Sequence, residues 1–392
     1  MRVQRYRKRD AEVILKELAG SYPVVSVTGP RQSGKTTLVR TLFPHKSYVN
    51  LEDLELRNYA KQDPKGFLGK YQKVGAIIDE VQNVPELFSY LQVLVDKSRQ
   101  MGQFILIGSQ QFSLMSNISQ SLAGRVGLLE LLPFSLSELR SEQKSLEETL
   151  YRGFYPPLHD RSIRTHLWHG DYIRTYIERD VRKLINIKDL SLFQNFLSLC
   201  AARNGQLINM SELGSHIGID ARTVKSWLSI LEASYLIFLL RPHHRNFSKK
   251  IIKTPKIYFY DSGLICYLLQ IKAEDIHLSP YKGPLFESMI ISEFKKLSMN
   301  HRHDLEFYFW KNNKGIEVDL LFQKSMKLYP IEIKSGKTMQ ESFLKNLKVY
   351  RELVADDLGK PFLIYGGDEP QSRNKIEVLS WKNLAPLMAI LT

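Results

Sequence analysis

Cysteine is nearly absent from this chain of 392 residues: only Cys200 and Cys266 occur, both inside apolar runs. Two isolated thiols cannot form a disulfide framework, so the fold must rest on buried apolar surface, and reduced, buried thiols suit a cytoplasmic protein. Long hydrophobic runs are missing too. The longest, from Tyr235 to Leu240, falls far short of the roughly 20 residues that span a bilayer, which argues against a membrane protein. No apolar segment follows the basic N-terminus (Arg2, Arg5, Arg7, Lys8, Arg9), so no secretory signal is expected. Internal repeats and low-complexity tracts are also lacking. Acidic residues are in deficit, 41 against 55 Lys and Arg, which leaves a formal charge of +14. That excess favours an anionic partner, nucleic acid ahead of a membrane surface, although a basic soluble surface would have the same composition. Hydrophobic residues make up 43% of the chain, enough for packed interiors, and the length calls for two to four domains.

What is present begins with Gly29-Pro30-Arg31-Gln32-Ser33-Gly34-Lys35-Thr36, which fits Gly-x-x-x-x-Gly-Lys-[Ser/Thr] at every position and is followed by Thr37. The run Val24–Thr28 reads as a strand entering it, and Leu38, Val39 and Leu42 give a helical pattern leaving it. Glycines let successive backbone N–H groups turn around a polyphosphate at the positive end of the helix. In that role Lys35 reaches the β- and γ-phosphates and the Thr36 hydroxyl binds Mg²⁺, so ATP or GTP is the expected ligand. A plain glycine turn would explain Gly29 and Gly34 but not the Lys-Thr pair.

A second element suits the first. Gly75-Ala76-Ile77-Ile78-Asp79-Glu80 is a buried strand ending in two acids. Asp79 is expected to hold the Mg²⁺ through water or Thr36, and Glu80 to polarise the attacking water. Ser109 or Gln110, after Phe104–Ile107, could sense the γ-phosphate, or simply make a turn. Phosphoryl transfer also wants a cation. Arg125 is the first candidate, with Arg179 and Arg182 behind it.

The chain divides into four expected units. Residues 1–150 alternate strands and helices as an α/β sheet requires, with strands at Val24–Thr28, Ser47–Leu51, Ala76–Ile78, Phe104–Ile107 and Gly127–Leu131. Residues 151–189 read as a helical connector beyond a break at Pro156-Pro157. Residues 190–260 are compact and helical, and 261–392 mix strand and helix. Within the third unit, Ser211–Ile217 and Ala221–Glu232 have helix-turn-helix spacing, with Ser211 and Asp220 as N-caps and Val224, Trp227, Leu228 and Leu231 on one face. Arg222, Lys225, Ser226 and Ser229 would then face a DNA groove, and the following strand and basic loop would form a wing. Such units also serve as packing modules. The segment 241–257 carries six Lys or Arg and two His with no acid, which suits phosphate contact or a solvated linker.

In the last unit Glu287 lies on an amphipathic helix and Asp319 on the strand 315–321. Glu332 and Lys334 share one face of the strand 330–334. Two acids near a lysine can hold a divalent metal and activate water against a phosphodiester. This order resembles the PD-(D/E)xK restriction-endonuclease-like fold. The resemblance implies Asp319 and Glu332 as metal ligands, Glu287 as an auxiliary acid at the metal and Lys334 as the water-positioning group. A charged sheet edge with Glu332 and Lys334 paired would have the same sequence, and the fold also persists as a binding platform. The histidines form no cluster, and His243-His244 and His301/His303 read as surface residues.

The whole chain resembles a bacterial and archaeal family of AAA-type ATPases with a C-terminal domain of unknown function. The motifs that carry it are GPRQSGKTTL, Asn50-Leu51-Glu52-Asp53, IIDEVQ, ILIGSQ, LAGR, LPFSLSE, Gly153-Phe154-Tyr155-Pro156, DYIRTYIERDV and PKIYFYDSGL. Gln110-Gln111 departs from the small hydroxyl residues that relatives tend to carry. The resemblance implies ATP binding and hydrolysis. The reading is therefore an α/β P-loop ATPase with a winged-helix-like middle and a restriction-endonuclease-like end. ATP and Mg²⁺ are its cofactors and DNA its expected partner. A homo-oligomer and a protein partner are left open, as is the alternative of an ATP-switched regulator that does not cleave.

Overall fold

The structure is a computed structural model that describes residues 6–98, 100–108, 118, 120–142, 145–176, 189–243, 254–303, 305–354 and 358–391. Five strands build the first sheet: β1 (Val24–Thr28), β2 (Ser47–Asn50), β3 (Ala76–Asp79), β4 (Phe104–Ile107) and β5 (Val126–Glu130). All pair in parallel, in the order β2-β3-β4-β1-β5. Each strand lies within one residue of its expected place. β1, β3 and β4 are buried at every position, as parallel strands covered on both faces must be. The two faces bury separate cores: Val25, Val27, Ile77 and Ile105 on one, with Leu38 of the Lys35–Leu42 helix, and Val24, Ile78, Phe104 and Leu106 on the other.

The rest of the chain does not separate at the expected boundary of 260/261. β6 (Ile237–Pro242) pairs antiparallel with β7 (Lys256–Phe259) and, at its far end, in parallel with β8 (Phe307–Lys311). β9 (Glu317–Lys324), β10 (Lys327–Lys334), β11 (Phe362–Tyr365), β12 (Gln371–Arg373) and β13 (Ile376–Ser380) complete one sheet in the order β12-β13-β11-β10-β9-β8-β6-β7. One apolar core on a face of this sheet draws on residues from Leu132 to Leu387, and a second, with Leu321, Leu347 and Leu363, lies on the other face. The hairpin expected as a wing is thus the edge of the C-terminal sheet.

Local chemistry explains the helix ends. Asp220 caps the Ala221–Ala233 helix as expected, but Asn209, not Ser211, caps the Met210–Ile217 helix by accepting from Ser211 N–H and Glu212 N–H. The Leu146–Arg152 helix ends at Gly153, and Pro156-Pro157 opens the short Pro156–Asp160 helix, where the missing N–H groups need no partner. Side-chain hydrogen bonds tie the first sheet to the rest. The Tyr235 hydroxyl donates to Glu130 at 2.8 Å and lies 3.1 Å from the Thr28 hydroxyl, and Leu136 N–H donates to Glu293 on the Lys282–His301 helix at 2.8 Å. Cys200 and Cys266 are buried free thiols, and among the described residues no helix is long and apolar enough to cross a membrane.

Candidate functional site

Parallel strands place all their carboxyl ends on one edge, and there the phosphate-loop segment meets the two acids of β3. β4 lies between β1 and β3, so the loop and the acids stand two strands apart across an open crevice. Gly29 has φ 140° and a Cβ there would lie 2.2 Å from the Leu131 carbonyl oxygen, so only glycine fits. Gly34 (φ 94°) caps the Lys35–Leu42 helix. Arg31, Gln32, Gly34, Lys35, Thr36 and Thr37 line the crevice, whose volume is about 640 Å³, within the range of nucleotide-sized clefts. Gly29, Pro30 and Ser33 complete the loop without lining the crevice.

Lys35 Nζ donates to the Gly29 and Pro30 carbonyl oxygens at 2.9 and 2.7 Å. The Thr36 hydroxyl donates to Asp79 Oδ2 at 2.7 Å, and the Tyr48 hydroxyl reaches the same oxygen at 2.9 Å. These are hard oxygen donors of the kind Mg²⁺ takes, so the pair fits that ion. Glu80 stands in the left-handed region (φ 55°) and its carboxylate accepts from the Gln82 side chain. Burial pushes the Glu80 carboxyl above its usual range, against the pull of Arg31.

Arg125 is not brought to this crevice. It precedes β5, at the amino ends of the strands, roughly 16 Å of strand away. Its guanidinium donates instead to Asp96 at 2.5 and 2.9 Å. Ser109, Gln110, Arg179 and Arg182 lie outside the described residues. Besides Arg31 of the loop itself, Arg161 lines the crevice, carried just past the Pro156–Asp160 helix. No motif marks it, because only the fold brings that helix over the loop.

The C-terminal residues also meet. Lys334 Nζ lies 2.7 Å from Glu332 Oε1 and 3.3 Å from Asp319 Oδ2, and Asp319 Oδ2 also accepts from Ile333 N–H at 2.8 Å. Asn346 donates to Glu332 Oε1 at 3.1 Å, while Glu332 Oε2 is buried with no hydrogen-bond partner. Burial, with repulsion from Asp319, pushes the Glu332 carboxyl up to about 8. Burial works against the Lys334 ammonium, but Asp319 and Glu332 hold it above its usual range. Glu287 turns to different partners. It accepts from Tyr258 at 2.5 Å and pairs with Lys256 at 3.3 Å, and Lys256 also pairs with Glu317. Glu287 therefore does not join Asp319 and Glu332 as a third metal ligand: among the described residues no three Asp, Glu, His or Cys converge as a metal site. Lys256 is 4% exposed, so it is not part of a solvated basic run. His243 is buried as well, its ring against Tyr308. Residues 244–253, including the rest of that run and His244, lie outside the described residues.

Residues 21–140 match the AAA domain family. Residues 143–275 match a domain of unknown function (DUF8612), and 282–384 another (DUF4143). Two mycobacterial proteins, Rv2008c of Mycobacterium tuberculosis and Mb2031c of Mycobacterium bovis, are each 29% identical over 367 residues, 92% of this chain and 80% of theirs. Both carry the description "uncharacterized protein". A solved structure, the Walker-type ATPase PABY2304 of Pyrococcus abyssi, is similar with TM-score 0.47 and 15% identity over 68% of this chain and 99% of that one. The AAA match together with the parallel sheet and its phosphate loop supports an AAA-type ATPase. Neither domain of unknown function supports the winged-helix or restriction-endonuclease-like resemblance.

Proposed function

We propose that the chain hydrolyses ATP and uses that cycle to gate an action on DNA by its C-terminal region. The observation that carries the nucleotide half is the Thr36 hydroxyl held 2.7 Å from Asp79, in a crevice also lined by Lys35 and Glu80. Lys35 exchanges the Gly29 and Pro30 carbonyls for phosphate oxygens. Mg²⁺, when bound by Thr36 and Asp79, neutralises phosphate charge. Glu80, at the carboxyl end of β3 beside Asp79, accepts the proton of the attacking water. Arg161, just past the Pro156–Asp160 helix, supplies positive charge at the crevice, the role expected of Arg125.

For the C-terminal half, support comes from topology and from one unsatisfied atom. The Lys282–His301 helix is followed by the antiparallel strands β8, β9 and β10, the Lys345–Val354 helix, and β11 parallel to β10. That is the order of the restriction-endonuclease-like fold that the Asp319 and Glu332-Ile333-Lys334 spacing resembles. The partnerless buried Glu332 Oε2 is an atom a divalent cation would satisfy. Arg222, Lys225, Ser226 and Ser229 are exposed on the Ala221–Ala233 helix, as a DNA-facing surface requires. A second reading, a regulator that binds without cleaving, is favoured by Lys334 standing between both acids.

One experiment addresses both halves: ATP turnover and Mg²⁺-dependent DNA cleavage by the wild type, Glu80→Gln and Asp319→Ala. Glu80→Gln is expected to bind ATP but turn it over about a hundredfold more slowly. Asp319→Ala is expected to lose cleavage while keeping ATP turnover. A wild type that hydrolyses ATP but never cuts DNA selects the regulator.

A further inference from the structure

Arg9 belongs to the basic N-terminal stretch, yet it is 4% exposed. Its guanidinium lies directly behind the phosphate loop. One terminal nitrogen donates to the Ser33 carbonyl oxygen at 2.8 Å and the other to the Leu132 carbonyl oxygen at 2.8 Å. Nε donates to Glu138 Oε1, also at 2.8 Å. The Phe134 ring lies 4.9 Å from the guanidinium carbon. The counter-ion is itself fixed. Glu138 Oε1 accepts from Asp10 N–H and Oε2 from Ser135 N–H, each at 2.8 Å. All three prongs of the guanidinium are committed, and their acceptors come from two separate pieces of chain, the loop at Ser33 and the stretch from Leu132 to Glu138.

The contact with Ser33 has a consequence across one peptide bond. In a planar trans peptide the C=O and the following N–H point in opposite directions. Turning the Ser33 carbonyl back onto Arg9 therefore aims the Gly34 N–H forward, and Gly34 lines the crevice. Glycine at 34 also makes room for the arrangement, since a Cβ there would lie 3.3 Å from the Arg9 nitrogen.

The geometry points to Arg9 as a positioning residue of the nucleotide site, one that presets the Ser33–Gly34 peptide so that its N–H faces a phosphate. The inference rests on reading the crevice as an ATP site. Arg9 works through orientation and not through its charge, because Glu138 neutralises it at 2.8 Å and the loop stands between it and the crevice. Orientation of a ground-state contact affects binding more than the chemical step, so its loss raises Kd and KM while kcat at saturating ATP stays near the wild type. A lysine carries the charge but not the three-pronged fork, so it is not expected to rescue.

The test is ATP affinity and steady-state hydrolysis of the full chain for the wild type, Arg9→Lys, the double variant Arg9→Met/Glu138→Gln, and Lys35→Ala as control. The double variant keeps volume and leaves no unpaired buried charge, so it guards against simple misfolding. Both Arg9 variants are expected to bind ATP about tenfold or more weakly, the worth of a charge-assisted hydrogen bond, with kcat within about threefold of the wild type. Wild-type affinity in either folded Arg9 variant, or a fall in kcat at unchanged KM, overturns the role. So does unfolding of both variants, which would make Arg9 a residue of the fold alone. If the wild type binds no ATP, the nucleotide reading fails and this inference with it. If only Lys35→Ala loses binding, the nucleotide reading stands and Arg9 falls by itself.

Discussion

Two clusters in this molecule set a pair of acids beside a lysine at the ends of buried strands, and they are built to opposite effect. In the first, parallel strands end on one edge and a glycine-bearing loop leaves a crevice of about 640 Å³ above them. Its lysine rests on carbonyl oxygens of its own loop, partners that an incoming phosphate can replace. In the second, Lys334 is shared between Asp319 and Glu332, and Lys256 between Glu287 and Glu317. There the cations are already inside. The first cluster is organised to receive an anion, and the second neutralises itself. A lysine of the first should therefore matter to binding and one of the second to stability.

The largest stability effect in that comparison is expected at Lys334. Its loss leaves the buried Glu332 and Asp319 carboxylates facing each other, and Lys334→Ala should cost about 2 kcal/mol. That sits below the full figure for breaking a buried pair, because the Lys334 side chain is 33% exposed. Chemical denaturation with ATP absent measures it, and an unchanged midpoint would dissolve the contrast. A smaller, pH-dependent effect is expected at Glu293, which joins the two regions. Burial pushes its carboxyl up to about 7, opposed by Lys296 and Leu136 N–H and reinforced by Glu138 and Asp10. The folded state then holds an extra proton between the ordinary carboxylate range and about pH 7, and the stability this confers is lost as pH rises through that value. Glu293→Gln should therefore gain in melting temperature relative to the wild type at about pH 8 but not at about pH 5. An equal shift at both would mean that the carboxyl titrates normally. The smallest effect is expected at Arg125. Arg125→Ala should leave ATP turnover and stability of the chain unchanged within error, and slower turnover would show that Arg125 reaches a nucleotide after all.

Much of the first cluster was legible because its chemistry is contiguous. Gly29 to Thr36 spells the loop, and Asp79-Glu80 closes a strand whose apolar run is plain. The supports were not legible. Arg9 meets Ser33 and Leu132 across 24 and 123 residues, and Arg161 reaches the crevice because the fold lays the Pro156–Asp160 helix beside the loop. Lys256 was hidden for a different reason. A run of basic residues reads as one solvated face, but the alternation of β7 sends this member inward to Glu287 and Glu317. The expected boundary at 260/261 was missed because β6 is long enough to pair with β7 at one end and β8 at the other. Local pattern cannot reveal that double use.

The proposed nucleotide site stands or falls on ATP binding through Lys35. Calorimetric titration of the wild type and Lys35→Ala with ATP and Mg²⁺ decides it, with thermal melts of both proteins as the fold control. Saturable binding is expected for the wild type, at least about a hundredfold weaker binding for the variant, and nearly equal melting temperatures without nucleotide. Equal affinity in two folded proteins would contradict it.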